Sequence, residues 1–334
     1  MKLVSFLKNG KQSAGLLSEE KVYDIHLLQP DLPDNMLEIL ENWNLFYPKL
    51  RKLSADLTTS SLIKSRSISW TEPTLLAPVP NPPSLRDGYA FRQHVETARR
   101  NRGLDMTPVF DSFPVFYFGN HRTVRGPGPL YIMPDQLKKL DYELEAAVVI
   151  SKNGKNIRTQ DAEDYIAGLM ILNDFSARTL QMEEMLLNLG PAKGKDFVTT
   201  TGPWLVTLDE LKEFEVPSPK NHEGKSWNLK MSASVGGKTL SKGNLRDMEW
   251  TFAEIIARAS YGVELYPGDI IGSGTVGTGC LLELNGTGKL NDPAYEEQWL
   301  KPGDEIELKI EALGSLKNQV LAEDTDYSIL ELKK

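Results

Sequence analysis

Asp141-Tyr142-Glu143-Leu144-Glu145 runs without a break into Ala146-Ala147-Val148-Val149-Ile150. A continuous apolar run of this length reads as a strand entering a core rather than lying on an exposed edge. If residues 141–150 are extended, Asp141, Glu143 and Glu145 point to one face, because side chains alternate along a strand. Three carboxylates on one face repel one another. Solvent relieves that repulsion on a surface strand, and a hard divalent cation with oxygen ligands relieves it in a buried one. An ordinary acidic surface strand is the plainer alternative.

Other acidic positions bear on the choice. Asp174 ends the apolar run Ile171-Leu172-Asn173 and precedes Phe175-Ser176-Ala177-Arg178. It suits a ligand at the end of a buried element, and equally an N-cap for a helix starting at Phe175. Asp87 follows a proline-rich stretch and is unremarkable by itself.

The chain has 334 residues, enough for one large domain or two smaller ones. Hydrophobic residues at 40% and charged residues at 25% predict a packed core. The net charge of -8 argues against a nucleic-acid partner, which needs a basic footprint. No apolar run reaches the roughly 18 residues that span a bilayer. Cys280 is the single cysteine, so an intrachain disulfide is excluded and no Cys-based zinc site is expected. With no secretory leader in the first residues, a soluble, cytoplasmic protein with no membrane partner is expected.

Met1–Leu7, Asn9-Gly10 and Ala14–Leu17 read as a hairpin with its turn at Asn9-Gly10, and Val22–Ile25 adds a strand. Residues 34–66 are helical in pattern, with Met36, Leu37 and Leu40 on one face, Ile39 off it and a break at Tyr47-Pro48. Four prolines within residues 78–83 mark a boundary. It divides a small N-terminal β-rich domain (1–77) from a larger C-terminal domain (78–334). In the latter, helices are expected at 91–102 and 251–259, and 162–172 as helix running into strand. Strands are expected at 142–150, 204–208, 228–236, 269–272, 280–284 and 305–312. Many short strands and few helices make this an α+β, β-dominated chain.

His94 begins a charged helix and suits proton transfer, although a lone histidine is more often structural. Lys195 lies in Gly190-Pro191-Ala192-Lys193-Gly194-Lys195, a loop that could present a lysine to an anionic oxygen. Its glycine spacing is not that of a phosphate-binding P-loop. Gly272–Gly279 is a second glycine-rich loop, either an anion cradle or a hairpin turn.

Together these segments resemble the fumarylacetoacetate hydrolase family, from about residue 78 to the end. The resemblance rests on Asp87 with Tyr89 and Arg92-Gln93-His94, on Glu143-Leu144-Glu145, and on Asn173–Arg178 with Gln181. Gly190-Pro191 through Lys195 and Gly272-Ser273-Gly274-Thr275 complete it. It implies a mixed β-sandwich roll in the C-terminal domain and assembly as a homodimer. It also implies one divalent cation, Mg²⁺ first and Mn²⁺ or Ca²⁺ next, held by Asp87, Glu143, Glu145 and Asp174. His94, oriented by Glu283, would activate water. Arg178, Gln181 and Lys195 would stabilise the oxyanion or carbanion, and Tyr89, Tyr117, Thr199 and Thr275 would line the substrate pocket. The implied reaction is hydrolysis of a carbon–carbon bond in a fumarylacetoacetate-like or acylpyruvate-like β-diketo acid. The alternatives are a 2-oxo acid decarboxylase or hydratase/lyase, or a silent metal-binding member of the fold.

Overall fold

The computed structural model describes residues 1–59, 68–69 and 74–332. Its centre is a twelve-stranded mixed sheet. The N-terminal hairpin, Lys2–Lys8 with Lys11–Ser18, forms as the sequence predicts. Asn9 (φ 50°) and Gly10 (φ 75°) both occupy the left-handed region that a tight two-residue turn demands. From this hairpin the sheet continues through Thr199–Thr207, Ile166–Asp174, Leu144–Ile150, Ile270–Gly272 and Leu85–Gly88 to Phe116–Gly119. Lys2 pairs with Val206, so the sheet runs across the proline-rich segment.

Both faces of this sheet are covered, which is why Ala146–Ile150 is apolar throughout. Leu144, Ala146, Val148 and Ile150 join one core with Leu169, Ile171 and Val206. Against that face lies a five-stranded sheet in the order Lys238–Asn244, Lys230–Val235, Glu305–Ile310, Gly314–Ala322, Gly128–Ile132. Its Met231, Ala233, Ile306, Leu308 and Val320 complete the core. The Tyr142 hydroxyl crosses between the sheets to Ser241 Oγ at 2.7 Å. Ala147, Val149, Met170 and Leu172 face the other way, with the N-terminal segment packed on them. The fold is mixed α+β and strand-rich, as the sequence predicts, and its sheets are open.

Three sequence expectations fail locally. Pro48 does not end the N-terminal helix but lies inside Trp43–Thr59. It forfeits one backbone bond near the helix start, and Trp43, Phe46, Leu50, Leu53 and Leu57, buried at helical spacing, carry the helix past it. Ile39, placed off the apolar face, is fully buried in the preceding helix Met36–Glu41. Residues 60–66 of that helical reading lie outside the described residues. Residues 280–284 are not a strand. Leu281–Asn291 is a helix, and the preceding glycine-rich loop is therefore no hairpin turn. Its two internal glycines depress helix propensity, while buried Asp141 accepts the N–H groups of Leu281 (2.6 Å) and Leu282 (2.9 Å).

Elsewhere the differences are mainly of extent. Residues 162–165 belong to a 3₁₀ segment, Thr159–Tyr165, before the strand Ile166–Asp174. Thr251 caps Phe252–Ala259 through a capping box with Glu254. The last strand of the sheet is not Glu305–Ile310, since Gly314–Ala322 follows.

Candidate metal and active site

Strand register brings the acidic residues together. Gly272 pairs with Asp87 on one side and Ala147 on the other. Glu145 pairs with Leu172, and Asp174 with Thr199. Three carboxylate-bearing segments, distant in sequence, thus end side by side at one end of the sheet. One oxygen from each of Asp87, Glu143 and Glu145 lies within 4.8 Å of the others, and all three residues are buried.

The cluster is short of positive charge. Five buried carboxylates, counting Asp141 and Asp174, share two buried cations, Arg178 and Lys195. Arg178 reaches Asp141 Oδ2 (2.8 Å), Glu143 Oε1 (2.7 Å) and, through its other nitrogen, Gln181 Oε1 (2.8 Å). Lys195 Nζ lies 2.5 Å from both Glu143 Oε2 and Asp174 Oδ2. Burial would raise Glu143, but Lys195, Arg178 and His94 outweigh it and hold the carboxyl down to about 2. Among the described residues Asp87 and Glu145 meet no cation: they accept from the Gly274 N–H and, for Glu145, the Thr275 hydroxyl, and the two carboxyls hydrogen-bond each other. Burial, reinforced by Asp174, pushes Asp87 up to about 7. Burial and Asp87 push Glu145 well above the carboxylate range.

These residues fit a divalent cation. The donor set is all oxygen, as a hard ion requires, and such an ion would offset the burial and the repulsion from Asp87 that push Glu145 up. The cradle between them is kept open by Gly272. A Cβ there would stand 2.3 Å from Asp87 Oδ1 and 3.2 Å from Glu145 Oε2. Gly272→Ala is therefore expected to displace Asp87 and lower Mn²⁺ affinity about 10–100-fold, the range for losing a group that orients a ligand. Calorimetric titration with Mn²⁺ measures this, and unchanged affinity would show that the cradle is not the metal site.

Asp174 stands beside this trio rather than within it. Its carboxylate accepts from Lys195, from Tyr117 and from Thr199 Oγ1 (3.2 Å). Burial raises it, with Lys195 opposing. No helix starts at Phe175 for it to cap; the helix is Arg178–Met185, preceded by Ala177. Asp141, grouped by sequence with Glu143 and Glu145, sits in a separate short strand, Leu140–Asp141, and serves Arg178 and the helix at Leu281.

The trio opens into a cavity of about 700 Å³ lined also by Tyr89, Tyr117, Thr275, Arg178, Gln181 and Lys195. His94 and Glu283 line the same cavity. His94 Nδ1 is 2.7 Å from Glu283 Oε2, and Glu283 Oε1 accepts the Thr278 N–H at 2.9 Å. Thr199 does not line the cavity and acts behind it through Asp174. Sequence reading missed what joins the two helices of the dyad. Asn101 Nδ2, just beyond the helix Arg92–Arg100, donates to the Glu283 carbonyl at 3.0 Å. Gly286 permits this approach, since a Cβ would meet Asn101 Nδ2 at 2.5 Å. The only sequence signal for this contact is the pair of glycines in Gly286-Thr287-Gly288.

Residues 84–321 match the model of the fumarylacetoacetate (FAA) hydrolase C-terminal domain. The chain belongs to this family. It is 32% identical over 308 residues to the oxaloacetate tautomerase Fahd2a, mitochondrial, of Rattus norvegicus, covering 90% of this chain and 84% of that one. The fumarylacetoacetase of Arabidopsis thaliana is 37% identical over 197 residues, covering 51% of this chain and 47% of that one. Maleylpyruvate hydrolase from Sphingobium sp. SYK-6, solved with manganese(II) and pyruvate, superposes with a TM-score of 0.68 at 21% identity. That match covers 97% of this chain and all of the other, and it shows a shared fold. Among the described residues no helix is long and apolar enough to cross a membrane.

Proposed function

We propose that this family member is a divalent-metal-dependent enzyme of 2-oxo acids. Its reaction moves a proton at the carbon beside the keto group, interconverting keto and enol forms. The observation that carries the reading is the buried His94–Glu283 pair opening into the same cavity as the Asp87–Glu143–Glu145 cluster. The similarity to a tautomerase over nine-tenths of the chain supports it, and for that reason we put proton transfer before the hydrolysis expected from sequence.

A cation in the cluster would polarise the keto oxygen and offset charge as the neighbouring carbon loses its proton. The remaining work falls to the chain. Glu283, fixed by the Thr278 N–H, accepts from His94 Nδ1 and so leaves the other ring nitrogen to exchange protons with substrate. Arg178 and Lys195 hold Glu143 in place. Gln181 accepts from Arg178, which leaves its amide N–H groups as donors to the cavity.

Carbon–carbon hydrolysis is the second reading. It is favoured by cavity size, since about 700 Å³ exceeds the needs of a four-carbon acid, and by an apolar wall at Val115, Phe116, Met182 and Trp299 that suits an acyl arm. In that case His94 takes a proton from water, the water oxygen bonds to the distal carbonyl, and the carbon–carbon electron pair leaves as the enolate. Both readings are tested with Mg²⁺ or Mn²⁺ by following enol absorbance on oxaloacetate and on acylpyruvates, with pyruvate release assayed separately. Faster ketonisation without pyruvate release supports the first reading, and pyruvate release from acylpyruvates supports the second. Inertness toward the whole panel overturns both.

A further inference from the structure

The cavity contains a second cluster of metal-ligating atoms, of a different chemical character. His94 nitrogen, Cys280 sulfur and a Glu283 oxygen lie within 4.8 Å of one another. The three residues are 7, 0 and 3% exposed, and all three line the cavity. Among the described residues the Cys280 thiol has no hydrogen-bond partner. Its place is fixed by the backbone, because residue 280 bridges to Glu143 and directly precedes the helix that carries Glu283.

We propose that His94, Cys280 and Glu283 form an inhibitory site for a borderline-soft divalent ion, with Zn²⁺ as the ion that suits its donors best. Imidazole nitrogen, thiolate sulfur and carboxylate oxygen are all donors that zinc takes, and three protein ligands with the fourth position left to the cavity is the arrangement of its open sites. The neighbouring Asp87–Glu143–Glu145 set offers oxygen alone and suits Mg²⁺ or Mn²⁺. Ligand softness therefore sorts the two kinds of ion between two clusters in one cavity. Binding releases the thiol proton and the proton shared by His94 and Glu283, because a metal ligand must present a free lone pair. Zinc so placed engages the imidazole on which the proposed proton transfer depends, and inhibits. The site itself is independent of which reaction the enzyme performs. In this proposal one cysteine suffices where the cysteine count leads one to expect no zinc site, because the fold brings His94 and Glu283 to it.

The test uses the full chain with excess Mg²⁺ present to fill the carboxylate cluster. Titration with Zn²⁺ is expected to show one bound ion per chain. Titration with Co²⁺ in its place is expected to give a thiolate-to-cobalt charge-transfer band. Cys280→Ser and Cys280→Ala should each abolish the band and weaken Zn²⁺ binding at least about 100-fold, exceeding the loss of a merely orienting group. Mn²⁺ affinity, measured on the same variants without Mg²⁺, is expected to be unchanged and shows that they are folded. Absence of the band in the parent, or Zn²⁺ binding of parental strength in both variants, overturns the proposal.

Discussion

His94→Ala is expected to lower turnover of the enol substrate by about 10²–10⁴-fold, the usual contribution of a positioned acid–base group, with Mn²⁺ affinity unchanged. The separation follows from geometry. His94 hydrogen-bonds Glu283 and is no member of the Asp87–Glu143–Glu145 cluster, where Lys195 and Arg178 outrank it in holding Glu143 down. Removing the ring leaves Glu283 buried with the Thr278 N–H as its remaining donor, which costs some stability. His94→Gln controls for this, because its amide can still donate to Glu283 while lacking an exchangeable proton of suitable acidity. Both variants should lose turnover alike, and only His94→Ala should melt measurably lower. Parental kcat in either variant would remove His94 from the chemistry.

The parts of this site that sequence revealed are those whose residue type is itself the signal. Glu143-Leu144-Glu145 ahead of an apolar run announced repulsion in need of relief, and the sheet register delivers that cluster. The glycine-rich loop of Lys195 offers a lysine to an anionic oxygen, and in the fold Lys195 meets the carboxylates of Glu143 and Asp174. What stayed hidden are the residues whose role depends on a partner far along the chain. Asp141 looks equivalent to Glu143 on a strand template. The break between Leu140–Asp141 and Leu144–Ile150 sends it instead to a helix 140 positions away. That helix reads locally as a strand, because Cys280-Leu281-Leu282 is apolar and glycines follow, while its N-terminal N–H groups are satisfied by a residue no local window contains. Pro48 failed for a related reason, since local propensity predicts a break and tertiary burial of Leu50, Leu53 and Leu57 overrides it.

The double variant Glu143→Gln/Glu145→Gln is expected to abolish measurable Mg²⁺ and Mn²⁺ binding, a loss exceeding the roughly 100-fold that follows from disturbing a group behind a ligand. It should also abolish any metal-dependent rise in Tm, because that rise reflects selective binding to the folded chain. The single variants differ in a way that tests the electrostatic account. Burial and Asp87 push the Glu145 carboxyl well up, so folding bears the cost of keeping it protonated; a neutral amide removes that cost, and Glu145→Gln should leave the metal-free protein as stable as the parent or more so. Glu143 is the shared anion of Arg178 and Lys195. Glu143→Gln should cost about 3 kcal/mol, the low end for breaking a buried ion pair, since Asp141 still serves Arg178 and Asp174 still serves Lys195. Denaturant unfolding without metal gives this ordering directly. Equal stabilities would show that the two glutamates share one environment, and retained Mn²⁺ affinity in the double variant would take both out of the metal site.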